Sequence, residues 1–149
     1  ATLGTTYTQM MSLPWEAWIA ACATGFVACG VLMANNIRDI PTDKLSGKKT
    51  LAVRLGDTKS RLFYDTIIIL AIISPLSFLF LYRWSLIFFL PAFSLGIFCI
   101  YTIHRGHVGN DGKHTKAQGR ELIPVLRNTG FIELAWSVAL LLCSITFTL

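Results

Sequence analysis

Asn35-Asn36-Ile37-Arg38-Asp39-Ile40-Pro41-Thr42-Asp43-Lys44-Leu45-Ser46-Gly47-Lys48-Lys49-Thr50-Leu51-Ala52-Val53-Arg54-Leu55-Gly56, followed by Asp57 to Arg61, stands where an apolar run from Trp15 to Ala34 ends. Twenty apolar residues that stop at a charged border read as a helix crossing a bilayer, because about 20 residues at about 1.5 Å each span about 30 Å of hydrocarbon. At the border, Asp39 and Asp43 lie among Arg38, Lys44, Lys48, Lys49, Arg54, Lys59 and Arg61, with Gly47 and Gly56 as punctuation. Carboxylates four residues apart are hard oxygen donors for Mg²⁺, which takes one or two of them and leaves its other positions to water and phosphate oxygens. The surrounding cations suit the remaining phosphate charge. The border therefore fits a divalent cation together with a phosphorylated ligand. On composition alone, a helix-end salt-bridge cluster of the two acids with Arg38 and Lys44 accounts for them equally well.

Outward from this border the chain stays apolar. Hydrophobic residues make up 54% of the 149 and charged residues 14%, with a mean hydropathy of +0.59, outside the range of an ordinary soluble domain. Four stretches are long enough to cross a bilayer: 15–34, 62–82, 84–103 and 129–149. No strand-length alternation is present, so a membrane barrel is disfavoured. The expected fold is an all-α polytopic transmembrane bundle of four spans, forming one domain over residues 1–149.

Residues 1–13 are small and polar and read as an interfacial connecting loop, after which Pro14 opens the first helix. Trp15 and Trp18 fit an aromatic belt, and Ala17, Ala20, Ala21, Ala23, Gly25, Ala28 and Gly30 allow close helix packing. Pro41 is expected to kink or stop the first helix near Asp39. Pro75, Pro91 and Gly96 are expected to bend the second and third spans, with Tyr82-Arg83-Trp84 as a tight turn between them. Residues 104–128 read as a second polar loop. The two loops hold twelve of the thirteen lysines and arginines, Arg83 being the other, so the positive-inside rule places both loops in the cytoplasm.

Several polar residues take plain readings. Cys22, Cys29, Cys99 and Cys143 fall inside expected spans and read as free thiols. His104, His107 and His114 read as solvated loop histidines, and Asp65 and Glu133 as snorkelling or capping acids near cytoplasmic helix ends. The basic charge is split between two short loops without an aromatic platform, which argues against nucleic-acid binding.

The run Asn-Asn-x-Arg-Asp-x-x-x-Asp-x-x-x-Gly-Lys-x-Thr-Leu-Ala-Val-Arg-Leu-Gly at 35–56 resembles the second aspartate-rich motif of the UbiA superfamily of intramembrane prenyltransferases. Leu3-Gly4-Thr5-Thr6-Tyr7, Glu121-Leu122-Ile123-Pro124-Val125-Leu126 and Thr129-Gly130 are similar to its 1,4-dihydroxy-2-naphthoate polyprenyltransferase branch of menaquinone synthesis. The resemblance implies a nine-span bundle around a cavity open to lipid. It also implies Mg²⁺-dependent transfer of a polyprenyl group from polyprenyl diphosphate to 1,4-dihydroxy-2-naphthoate, with loss of the ring carboxylate. Asp39 and Asp43 would hold Mg²⁺, Lys48 and Arg38 would meet the diphosphate, and Asn35 and Asn36 would contact the metal–diphosphate group or orient the acids. A bacterial-type inner membrane is the implied location, with the lipid bilayer as surroundings. The superfamily's first motif, Asn-x-x-x-Asp-x-x-x-Asp, has no counterpart here. The chain is therefore expected to be the C-terminal portion of a longer enzyme, or a truncated homologue, inactive alone. A different aromatic acceptor, of hydroxybenzoate or homogentisate type, is the alternative within the class. Outside it, the alternative is a non-catalytic membrane scaffold that binds anionic lipid or diphosphate.

Overall fold

The structure, a computed structural model, describes residues 2–80, 85–108 and 114–148. Its elements in order are α1 (Thr2–Met10), α2 (Trp15–Leu45), α3 (Leu51–Leu55), α4 (Asp57–Ile73), a 3-10 turn over Ser74–Phe80, α5 (Ser85–His104), β1 (Gly106–Val108), β2 (His114–Lys116), a 3-10 turn over Gly119–Leu122, and α6 (Ile123–Thr148). Four segments, Trp15–Leu45, Asp57–Ser77, Leu86–His104 and Gly119–Cys143, are long and apolar enough to cross a membrane. The architecture is a polytopic helical bundle, as expected. The turn expected at Tyr82-Arg83-Trp84 and the solvated reading of the His107 and His114 side chains fall outside the described residues.

The core is the seam where α2, α4, α5 and α6 meet. From α2 it takes Ala23, Val27, Ala34 and Ile37, spaced by three, four and seven residues so that they share one helical face. From the other helices come Ile68, Phe89, Cys99, Ile132 and Trp136. Gly30 and Gly96 grip α4 from opposite sides. A Cβ on Gly30 would stand 2.8 Å from Ile68 Cδ1, and one on Gly96 would stand 2.6 Å from Ile72 Cγ2, so both helices approach α4 at distances that only glycine permits. Phe89 and Trp136 close the α5–α6 contact edge to face, with ring centroids 4.8 Å apart.

Buried polar groups cross-link the helices. The Tyr64 hydroxyl and Thr129 Oγ1 are 2.6 Å apart, and Thr129 Oγ1 donates to the Val125 carbonyl at 2.7 Å, so α4 and α6 share a hydrogen-bonded pair in the core.

Four expectations change. Residues 2–10 form a helix rather than a loop. None of its residues is buried, and Thr6 and Thr8 hydroxyls bond back to the Thr2 and Thr5 carbonyls, which lets small polar residues complete helical turns. Next, α2 continues through Pro41 to Leu45 instead of stopping near Asp39. The proline removes one helical bond, but the turn beyond it is closed by three backbone bonds described below, and the helix survives the loss. In addition, α4 begins at Asp57 and α6 at Ile123, earlier than the apolar boundaries suggested, because charged residues at their starts are paired rather than solvated. Finally, the second polar loop holds a short antiparallel hairpin pairing Gly106 with Lys116 and Val108 with His114.

Candidate functional site

The end of α2 carries the motif. At about 100° per residue, Asn35, Asn36, Asp39 and Asp43 fall on one arc of about 100°, and Asp39 stands about 200° from Ile37 on the core face. The acids thus sit on the side of α2 turned away from the helix core. Because the helix is unbroken, the two carboxylates keep the i,i+4 relation that places their Cβ atoms about 5–6 Å apart.

The chain returns on itself directly after them. Ser46 N donates to the Thr42 carbonyl at 3.0 Å, Gly47 N to Lys44 at 3.3 Å and Lys48 N to Asp43 at 2.9 Å. With Gly47 at φ +73°, this is a Schellman cap, in which a left-handed residue lets the chain reverse over the last turn. The reversal brings the Lys48 ammonium to 3.8 Å from Asp43 Oδ1. Asp43 is 7% exposed, whereas the Lys48 side chain is 69% exposed, so the acid is held and the lysine is free to swing.

Arg38 takes the other acid. Its Nε donates to Asp39 Oδ1 at 2.7 Å and its Nη2 to Oδ2 at 3.0 Å, a fork between neighbouring residues. The helix-end cluster anticipated between the acids, Arg38 and Lys44 is thus formed by Arg38 and Lys48, with Lys44 exposed. Thr50 then caps α3, its Oγ1 accepting from Val53 N at 3.4 Å. Gly56, at φ +78°, joins α3 to α4.

One member of the basic set does other work. Arg61 is 0% exposed; its Nε donates to both Asp57 oxygens at 2.9 Å, its Nη1 to the Ile103 carbonyl and its Nη2 to the Ala117 carbonyl at 2.6 Å. Every arm of the guanidinium is thus engaged inside the protein, so Arg61 is withdrawn from the cations available to a ligand. Lys116 extends the cluster, with Nζ 3.2 Å from Thr58 Oγ1 and 3.9 Å from Asp57 Oδ2. The i,i+4 spacing of Asp57 and Arg61 signalled the pair, but their long-range carbonyl partners left no local trace. His104, read as solvated, ends α5 with its Nε2 2.5 Å from Asp65 Oδ2, tying α5 to α4. Glu133 is half-buried in α6.

The donor set fits Mg²⁺: two hard carboxylates in helical register, with two side-chain amides on the same arc. Among the described residues no three His, Cys, Asp or Glu side chains converge. A metal held here by Asp39 and Asp43 would therefore take its remaining ligands from water, phosphate or another segment.

Gly47 sets how Lys48 meets Asp43. Gly47→Ala is expected to destabilise the cap by about 1–2 kcal/mol, the cost of a left-handed non-glycine residue. The expected result in diphosphate titrations is weaker binding with an unchanged helical circular dichroism spectrum. Unchanged affinity would show that the cap does not position Lys48 for the ligand.

A family model described as "UbiA prenyltransferase family" matches residues 1–122. Proteins named 1,4-dihydroxy-2-naphthoate octaprenyltransferase are similar to this chain. The one from Mycobacterium tuberculosis is 39% identical over 139 residues, covering 93% of the chain and 44% of the relative. The one from Mycobacterium leprae is 35% identical with the same coverage, and the one from Escherichia coli is 33% identical over 60% of the chain and 30% of the relative. The chain thus spans 44% of the length of the two mycobacterial relatives. No solved structure gives a significant match.

Proposed function

Because the chain belongs to the UbiA prenyltransferase family and is an integral membrane protein by its four apolar helices, we propose that it serves in Mg²⁺-dependent prenyl transfer. In this reading a polyprenyl group passes from polyprenyl diphosphate to 1,4-dihydroxy-2-naphthoate, in concert with the length of the relatives that the chain does not span. The observation that carries the proposal is the unbroken end of α2. It places Asp39 and Asp43 in register on the face turned from the core and brings Lys48 back beside Asp43.

Each residue has a task. Asp39 and Asp43 hold the metal, and Lys48 leaves Asp43 for the phosphate oxygens, as its exposed, 3.8 Å contact allows. Arg38 holds Asp39 in place and offers a second cation to the diphosphate. Asn35 and Asn36, one turn earlier, orient the acids or meet the metal–diphosphate group. Bound Mg²⁺ supplies stabilisation of the charge that develops on the leaving diphosphate. The fixed cations add to it in a water-poor setting, where electrostatic stabilisation is strongest. The acceptor ring carbon forms the new bond to the allylic carbon as diphosphate departs, and the ring carboxylate leaves as CO₂. The motif faces the cytoplasm of a bacterial inner membrane, because Arg38–Arg61 and Arg105–Arg127 carry nearly all the cationic charge. Residues 1–149 act as one bundle domain within this arrangement.

The test is transfer from labelled octaprenyl diphosphate to dihydroxynaphthoate in membranes containing the chain together with the N-terminal part of a curated relative. Product that requires both parts and Mg²⁺ supports the proposal. Donor binding without transfer in the combined membranes points instead to a scaffold that only binds diphosphate.

A further inference from the structure

Two apolar cavities lie along the seam between α2 and α4. The inner one, about 510 Å³, is lined by Phe26, Cys29 and Asn36 of α2, by Ile67 and Leu70 of α4, and by Leu51 of α3. The outer one, about 450 Å³, is lined by Trp18 and Cys22 of α2 and by Ile73 and Leu76 beyond it. On α2 the linings are one turn apart, from Phe26 to Cys22, and on α4 they are one turn apart, from Leu70 to Ile73. The two cavities are therefore successive sections of one groove. Its cytoplasmic end is Asn36, which shares the arc of Asp39 and Asp43.

We propose that this α2–α4 groove is the track for the isoprenoid tail of the donor, and that the one-turn step between its sections measures tail length. This rests on the prenyl-transfer reading above. The occupant follows from the groove's ends and walls. It starts at the residues assigned to the diphosphate, is apolar throughout, and runs the length of the helix to an exposed Trp18. The lengths agree as well. From Asn36 to Phe26 is about 15 Å and from Asn36 to Trp18 about 27 Å at 1.5 Å per residue. At about 1.5 Å per carbon–carbon bond, an isoprene unit of four chain bonds advances roughly 4–5 Å. Three units therefore end in the inner section and six reach the outer one.

Farnesyl and hexaprenyl diphosphates, each with a diazirine on the terminal isoprene unit, test this in membranes holding the protein, with bound donor measured in the same samples. Expected are crosslinks at Phe26–Cys29 and Ile67–Leu70 for the short donor, and at Trp18–Cys22 and Ile73–Leu76 for the long one. In Cys22→Trp the outer section is overfilled. The hexaprenyl crosslink there should fall by about tenfold, a change of about 1.4 kcal/mol in seating the tail, while the farnesyl crosslink stays in place. Bound donor whose crosslinks map to α5 or α6, or do not move with tail length, overturns the groove and leaves the prenyl-transfer reading standing. Absence of donor binding overturns both.

Discussion

Asp43→Ala is expected to lower Mg²⁺-dependent prenyl transfer by about 10²–10³-fold, the scale seen when one preorganised group that stabilises developing charge is removed. Asp39→Ala is expected to fall in the same direction by a smaller factor. The difference follows from how the two acids are held. Both Asp39 oxygens already accept from Arg38, at 2.7 and 3.0 Å, whereas Asp43 has a single contact with a mobile lysine at 3.8 Å. Asp43 therefore gives more of its coordinating capacity to a metal. The measurement is turnover against Mg²⁺ concentration for each variant, beside thermal unfolding in detergent. Asp43 lies at a helix end with an exposed partner, so the fold should survive its loss. Wild-type turnover in Asp43→Ala would remove the acid from the metal site.

Arg61→Met is expected to cost about 3–5 kcal/mol of stability, the range for removing one partner of a buried ion pair and stranding the other. The loss falls on Asp57 together with the Ile103 and Ala117 carbonyls, each of which accepts from the guanidinium. Arg61→Lys should recover only part of it, because an ammonium lacks the planar fork that serves three acceptors at once. The readout is the unfolding midpoint of the purified protein in detergent. An unchanged midpoint in Arg61→Met would show that the buried cluster contributes nothing to holding α4, α5 and the hairpin segment together.

These two residues mark what could be read from the sequence. The border motif was legible because its chemistry is local: acids at i and i+4, a glycine two residues past the helix end, a lysine beside it. The four spans were legible because lipid imposes length and apolarity on contiguous residues. Arg61 was misread as a ligand cation, since its partners at Ile103 and Ala117 are 42 and 56 positions away and are backbone carbonyls, which every residue possesses. His104 was misread for the same reason, its partner Asp65 being 39 positions back. Pro41 misled in the opposite sense: the local rule against proline in helices was sound, but the bonds of the Schellman cap, set by Gly47, outweighed it.

The distances along the chain that hid Arg61 also dictate an order of assembly. The guanidinium finds its last acceptor 56 residues after its own position. At about 5–20 residues per second of synthesis, that is a wait of roughly 3–11 s after Arg61 is made. During that interval α4 is already leaving the ribosome with a cation at its mouth, and the group able to neutralise it is Asp57, made four residues earlier. Asp57 thus acts first as an escort, making a neutral pair at the helix entrance, and only later as one wall of the finished clamp. Insertion of α4 is completed when α5 and the hairpin arrive. The bundle closes from its cytoplasmic rim, with the docking of the hairpin segment as its final step.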